Sequence, residues 1–359
     1  MRRQNKYKVI GLMSGTSLDG LDIVDCEIML EKQTWKFVIR SATTKKYNAD
    51  WKSKLSSAHT LTAAKLFSLD HDYGKYLARV TLEFIKINKI KEVDFIASHG
   101  HTIFHQPDQG FTYQLGSGQT LHDISTYPVV FDFRSLDVIR GGQGAPLVPI
   151  GDRYLFGQYD ICLNLGGIAN LSLEQNKKRI AFDFCFANMG LNYLAAKAGN
   201  EFDKNGFLAS TGKMEEAMLA QLETIYKTLR TIRPSLGRER FEKSIQPILD
   251  NETIPIQNRM RTFCESIAIE TLNAVPSKKK KLKLLVTGGG ALNEFLMRLI
   301  ADKLKGKADV VIPEKQIIEF KEALIFAFLG VLRVRGEINC LKSVTRASRD
   351  SSGGMLVGF

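Results

Sequence analysis

The segment Ser14-Gly15-Thr16-Ser17-Leu18-Asp19-Gly20-Leu21-Asp22 sets two glycines, three hydroxyls and two carboxylates within nine residues. Glycines let a backbone turn tightly and approach a ligand. The hydroxyls of Ser14, Thr16 and Ser17 can donate to phosphate oxygens, and Asp19 or Asp22 can hold magnesium through water. The same composition also makes an ordinary hairpin turn, and no GxxxxGK[ST] loop occurs here or elsewhere. A second glycine turn, Asn164-Leu165-Gly166-Gly167-Ile168-Ala169-Asn170, can clasp the same phosphates from across a cleft. A third, Val286-Thr287-Gly288-Gly289-Gly290-Ala291-Leu292-Asn293, leaves room for a flat ring or ribose against the backbone. Each alone is punctuation, but three at strand ends favour nucleotide binding.

Asp183 stands among aromatics, between Phe182 and Phe184. A carboxylate there is costly to desolvate, which favours a functional role over capping the helical pattern that starts near Asn188. Glu322 opens the apolar run Ala323 to Leu332, where catalysis and helix-dipole stabilisation weigh equally. His99-Gly100-His101-Thr102, with His105 beyond, lacks ligand-spaced Cys or acidic partners and reads as a polar loop lining a sugar pocket. Gly11-Leu12-Met13-Ser14-Gly15 fails the spacing of a GxSxG nucleophile elbow. After a strand at 128–131, Arg134, Gln143 and the glycines 141, 142 and 144 suit a polyhydroxylated ligand bearing a carboxylate, and equally an interdomain hinge.

These residues need a scaffold. Strand patterns cover Tyr7 to Met13, Leu21 to Met29 and Trp35 to Ser41; a helical pattern runs from Leu61 to Lys86, and a short strand spans 93–98. From about residue 150 the order returns: strands at 161–165, 168–173 and 180–184, then helices, then a strand at 282–286. Two halves of strand, glycine turn, strand, strand and helices imply an internal duplication.

At 359 residues, two domains are the expectation. Arg2, Arg3, Lys6 and Lys8 precede an apolar stretch too short for a secretory signal, and the run Ala323 to Leu332 is about half a bilayer span, so a cytoplasmic protein without membrane contact is expected. Five scattered cysteines without a CxxC pair support neither a disulfide framework nor a zinc site. The net charge of +12 lies largely in turn-like runs such as Lys278–Lys281 and Lys177–Arg179, without interleaved aromatics, which argues against nucleic-acid binding.

The ordered blocks MSGTSLDGLD (13–22), SHGHTIFHQP (98–107), VVFDFR (129–134), GGQGAPLVPIGD (141–152), LNLGGIANLS (163–172), SLGRERF (235–241), VTGGGALN (286–293) and EALIFAFLG (322–330) resemble anhydro-N-acetylmuramic acid kinases over nearly the whole chain. The resemblance implies an α/β fold of two ribonuclease-H-like, actin-like ATPase domains with a nucleotide cleft between them. We expect residues 1–131 with 333–359 as the first domain and 132–332 as the second. It also implies water opening the 1,6-anhydro bond of the sugar while the 6-oxygen takes the γ-phosphate of ATP, in cell-wall recycling. By this resemblance Asp183 is the base and Glu322 an acid near the sugar. Gly15, Thr16, Ser17, Leu18, Asp19, Gly20, Leu21, Asp22, Gly166, Gly167, Gly288, Gly289, Gly290 and Asn293 bind ATP, with magnesium on Asp19 or Asp22. His99, Thr102, Arg134, Gln143 and Asn188 bind the sugar. The partners are small molecules, with a homodimer left open.

Three positions depart from the family's pattern. Its DTGPGN reads Asp183-Phe184-Cys185-Phe186-Ala187-Asn188, its QIGD reads Gln114-Leu115-Gly116-Ser117, and a TGA-type turn reads Thr345-Arg346-Ala347. The departures imply a divergent branch with an altered pocket wall, or a relative with shifted sugar preference. A non-catalytic actin-like nucleotide-binding module is the further alternative.

Overall fold

The computed structural model describes residues 4–233, 235–277 and 280–359; Arg2, Arg3, Lys278 and Lys279, whose basic character was weighed above, lie outside the described residues. The strands are β1 (Lys6–Ser14), β2 (Gly20–Glu31), β3 (Thr34–Lys46), β4 (Phe95–Gln106), β5 (Phe111–Leu115), β6 (Val129–Phe131), β7 (Ile161–Leu165), β8 (Ile168–Gln175), β9 (Lys178–Phe186), β10 (Leu282–Thr287), β11 (Ala308–Val311) and β12 (Met355–Val357). The helices that matter below are α1 (Ala63–Ile87), α2 (Asn188–Lys197), α3 (Glu216–Ile232), α4 (Ile256–Ala274), α5 (Glu294–Lys303) and α6 (Lys315–Val334).

Contacts divide the chain into two compact units, residues 1–155 with 320–359, and residues 156–319. Residues 132–155 and 320–332 thus group with the first sheet, whereas the sequence assigned them to the second domain.

In the first unit the sheet runs β12-β6-β4-β1-β2-β3, with β5 paired to β4. β1, β2 and β3 form an antiparallel meander, and β4 and β6 add in parallel. The second unit repeats this plan as β11-β10-β7-β8-β9, again an antiparallel meander extended by two parallel strands. Setting aside β5, which pairs off the main path, and the added β12, the shared order of third, second, first and then two parallel strands is the ribonuclease-H-like arrangement, and it makes the duplication explicit.

Successive side chains of β1 point to opposite faces, and its near-continuous apolar run is buried on both. Ile10 and Leu12 join the core beneath α1, whose buried Leu69, Tyr73, Leu77, Val80 and Phe84 recur at helical spacing. Gly11 faces the other way, and a Cβ there would overlap the carbonyl oxygen of Ala323 on α6. Gly11 therefore sets how closely α6 approaches the sheet, and the residues Ala323–Leu332 are buried accordingly. The second unit has its own core, in which Leu163, Leu165, Leu284 and Val286 pack with Met260, Phe263 and Ile267 of α4.

Two local expectations are corrected. β4 continues through His99 and His101 to Gln106, because pairing with β5 satisfies the backbone of a stretch that reads as a polar loop. Gly100, at φ 72°, and a register shift opposite β1 mark an irregularity there. α6 begins at Lys315, so Glu322 lies inside the helix rather than at its start, and the helix-dipole explanation for it falls away. Among the described residues no helix is long and apolar enough to cross a membrane.

Candidate active site

In the first unit, the β1–β2 connection carries the glycine–hydroxyl turn. Thr16, Ser17 and Asp19 are exposed, and Leu18 adopts a left-handed conformation at φ 61°. Asp22, already on β2, accepts a 2.6 Å hydrogen bond from Thr44 Oγ1. Ser14 differs from its expected role. It is buried, and its hydroxyl lies 2.7 Å from Tyr47 OH and 2.9 Å from His101 Nδ1. Tyr47 OH in turn lies 2.6 Å from Tyr73 OH. The Ser14 hydroxyl is thus committed to an internal chain that fixes the end of β1, leaving Thr16 and Ser17 as the solvent-facing hydroxyls of the turn. Burial lowers the pKa of His101 to about 4, so it is neutral in this chain of hydrogen bonds.

His99, Arg134 and Glu322 come together in the same unit. His99 Nδ1 lies 2.8 Å from the Gly100 carbonyl oxygen, and Arg134 Nε donates to His99 Nε2 at 3.0 Å. Arg134 Nη1 donates to the Gly144 carbonyl at 2.7 Å. Phe326 forms the floor: its ring centroid lies 4.5 Å from that of His99 and 5.7 Å from the Arg134 guanidinium carbon. Glu322, four residues before Phe326 on α6, shares that helix face. Its charge acts on Arg134, although burial brings the Arg134 pKa down to about 10. Glu322 is solvent-accessible while desolvation pushes its carboxyl upward, against the opposing pull of Arg134 and Lys321. Lys321 is itself paired with Asp152 at 2.7 Å in the interior.

Thr102 lies farther along β4, within 3.4 Å of Gln114 Nε2. Gln143 is exposed, its backbone N–H bonded to the Thr345 carbonyl at 2.8 Å. The loop between is held by Asp137, whose carboxylate accepts from Gly144 N at 2.8 Å and from Thr345 Oγ1 at 2.8 Å.

In the second unit, the β7–β8 turn, the start of α2 and the turn after β10 converge. Asn188 N donates to Gly166 O at 3.0 Å, Ala187 N to Gly167 O at 2.9 Å, and Asn188 Nδ2 to Leu165 O at 3.1 Å. Gly288, at φ 82°, passes so close to Asn164 and Leu165 that a Cβ would lie 2.5 Å from Asn164 Oδ1. Gly166, Gly167, Gly288, Gly289, Gly290 and Asn188 therefore form one patch, with Gly167 and Gly289 exposed. Asn293 serves a different purpose: its Oδ1 accepts from Leu296 N at 2.9 Å and caps α5.

Asp183 lies inside β9, which continues to Phe186, so it caps no helix. It is half-buried, and Oδ2 accepts the Leu236 backbone N–H at 3.0 Å. Among the described residues Oδ1 takes no hydrogen bond. Desolvation raises the pKa of Asp183, and the Leu236 hydrogen bond opposes that rise. Around it Phe182, Phe184, Arg230, Arg233, Glu270, Asn273 and Ala274 line a recess of about 70 Å³. Arg230 pairs with buried Glu270 at 2.6 Å, and the Arg233 guanidinium carbon sits 4.4 Å from the Phe182 ring centroid. The partners Leu236, Arg230 and Glu270 were not foreseen from the sequence. Phe326 could have been, from its spacing of four after Glu322. Among the described residues no group of three or more His, Cys, Asp or Glu side chains is arranged to hold a metal.

Comparison with known proteins places these features in context. The family model of anhydro-N-acetylmuramic acid kinase matches residues 7–358. The chain is 33% identical over 367 residues to the anhydro-N-acetylmuramic acid kinase of Aliivibrio fischeri, covering 97% of this chain and 98% of that one. It is 32% identical over 368 residues to the Sulfurovum enzyme of the same name, covering 98% and 100%. Among solved structures, the ROK family glucokinase from Streptomyces griseus, in complex with glucose and AMPPNP, is similar at a TM-score of 0.40 and 12% identity, over 90% of this chain and 98% of that one.

Proposed function

The chain belongs to the anhydro-N-acetylmuramic acid kinase family, and from that premise we propose that it opens 1,6-anhydro-N-acetylmuramic acid with water and phosphorylates it from ATP. Water attacks the anomeric carbon and loses a proton to Asp183. The bond from that carbon to the 6-oxygen breaks, the 6-oxygen takes the γ-phosphoryl group, and ADP leaves. The product is N-acetylmuramic acid 6-phosphate, which feeds cell-wall recycling in the cytoplasm.

The observation that carries the reading is the state of Asp183. Leu236 N–H fixes one carboxylate oxygen, while the other takes no hydrogen bond among the described residues. A general base needs this combination of fixed orientation and a free lone pair. Its upward-shifted pKa, caused by desolvation and opposed by the Leu236 hydrogen bond, strengthens it as a proton acceptor.

For phosphoryl transfer, charge stabilisation and positioning carry most of the rate. The backbone of 15–22 and the glycine patch of 166–167 and 288–290 serve ATP. Magnesium commonly takes one or two protein carboxylates, phosphate oxygens and water. Exposed Asp19, with Asp22 nearby in sequence, fits that demand, whereas an all-protein cage does not. When bound, the ion neutralises charge on the phosphates. Arg134 and Glu322 offer the sugar a cation and an acceptor.

A second reading, a kinase for a related amino sugar, is favoured by one feature. Phe184, Cys185, Phe186 and Ala187 are buried in the core as strand and helix entry, so the wall beside Asp183 is rigid and apolar. Replacing Asp183 by Asn tests the main reading. ATP binding should persist while turnover falls by about 10²–10⁴-fold; turnover near the wild-type rate would remove Asp183 as the base.

A further inference from the structure

His99 cannot be an ordinary titrating histidine, because both ring nitrogens are assigned by their partners. The Gly100 carbonyl 2.8 Å from Nδ1 can only accept, so Nδ1 carries the proton. Arg134 Nε can only donate, so Nε2 at 3.0 Å must present its lone pair. The ring is thereby neutral and locked as one tautomer, with Phe326 packed against it. The guanidinium is constrained in turn. Nε is held by His99, Nη1 by Gly144 O, and the Phe326 face supports it, while Nη2 makes no hydrogen bond among the described residues.

We propose that His99 is a positioning residue that acts through Arg134, holding the guanidinium so that its Nη2 edge is reserved for the carboxylate of the sugar. The reasoning rests on the function proposed above for the identity of the ligand, but the His99–Arg134 contact stands without it. A guanidinium fixed at two of its nitrogens loses little freedom on gripping a carboxylate, and a fixed fork discriminates better than a free one. Glu322, accessible on the same helix face as Phe326 and without a hydrogen-bond partner among the described residues, supplies an opposing charge that raises the Arg134 pKa against the effect of burial. Burial, then the positive charge of Arg134 and the neighbouring His101, disfavours protonation of His99, against the opposing pull of the Gly100 and Ser14 backbone.

Nitrogen-15 NMR of histidine-labelled full-length protein tests the contact without any substrate. The expected spectrum shows the His99 ring as the Nδ1–H tautomer, neutral from pH 7.5 down to pH 5, with the Nε2 signal displaced in Arg134→Ala. A His99 signal that titrates near its ordinary value, or one unmoved by Arg134→Ala, overturns the proposal. The functional arm compares the anhydro sugar bearing the lactyl carboxylate with its anhydro-N-acetylglucosamine counterpart, which lacks it. His99→Leu should raise KM for the carboxylate-bearing sugar at least tenfold, leave KM for ATP unchanged, and add nothing further in an Arg134→Ala background; His99→Gln, which can still accept from Arg134, should recover most of the loss. Additive effects of His99→Leu and Arg134→Ala, or an equal loss for both sugars, contradict it. Wild-type protein inactive on both sugars with the predicted NMR signature would refute the proposed function while leaving the His99–Arg134 contact intact.

Discussion

Leu236 and Asp183, 53 residues apart in sequence, meet through a 3.0 Å hydrogen bond from the Leu236 backbone N–H to Asp183 Oδ2. Desolvation drives this carboxyl's pKa up and the hydrogen bond restrains it. As the proposed base, Asp183 must be ionised to work, so kcat/KM for the sugar should fall as pH drops, with its acid limb shifted upward from that of an unperturbed aspartate. Leu236→Pro deletes the N–H and should move that limb higher. Asp183→Asn should cost about 10²–10⁴-fold in turnover, the usual share of general base catalysis. An acid limb at the same pH in Leu236→Pro would disconnect the hydrogen bond from the base.

Ser14 ties β1 to both Tyr47 and His101 in the interior. Ser14→Ala removes a hydroxyl with two buried partners, which costs about 1–3 kcal/mol when those partners are left unpaired. Urea unfolding should show a lower midpoint with an unchanged slope. ATP affinity should fall less than in Thr16→Val, because the Ser14 hydroxyl is internal. A stability equal to wild type would show that water replaces the hydroxyl.

Neutral burial of His101 gives stability a pH dependence of known sign. Its pKa is about 4 when folded, against an ordinary value near 6.5. Above pH 6.5 neither state takes the proton. Between those values the unfolded chain binds a proton that the folded chain refuses, so stability falls as pH drops, by up to about 1.4 kcal/mol per pH unit. The raised carboxyls of Asp183 and Glu322 act in the opposite sense, since the folded state protonates them first. Melting temperature from pH 7 to pH 5 should therefore decline more steeply in wild type than in His101→Asn. Parallel slopes would assign the decline elsewhere.

Gly288 combines a left-handed φ of 82° with close passage against Asn164 and Leu165. Gly288→Ala must strain the backbone and displace the β7–β8 turn, so we expect a destabilisation of about 1–3 kcal/mol and a weaker ATP Kd. Calorimetric titration of ATP and a thermal melt read the two effects. Unchanged ATP affinity in a folded variant would exclude this turn from the nucleotide site.

Much of this architecture was legible because it is local. The strand–glycine–strand–strand order of both halves could be read from apolar runs and turn residues. The strand at 161–165 emerges with the expected bounds. β4 misled because its second half is polar and carries Gly100. Only its pairing with β5 makes that stretch a strand. Glu322 was misplaced on its helix because the preceding residues 315–321 mix charged and apolar types, hiding about two turns of α6. Residue types nominated Asp183 and Arg134, but no local pattern announces that Leu236 serves the first or His99 the second. Those pairings are products of tertiary packing.

In the proposed reaction one active site couples ring opening to phosphorylation. The most direct measurement follows ADP and sugar products by mass spectrometry, with ATP, magnesium and either 1,6-anhydro-N-acetylmuramic acid or the already open sugar. Coupling yields one N-acetylmuramic acid 6-phosphate for each ADP from the anhydro sugar, without free unphosphorylated sugar appearing. Turnover of the open sugar alone, with the anhydro sugar untouched, would contradict it.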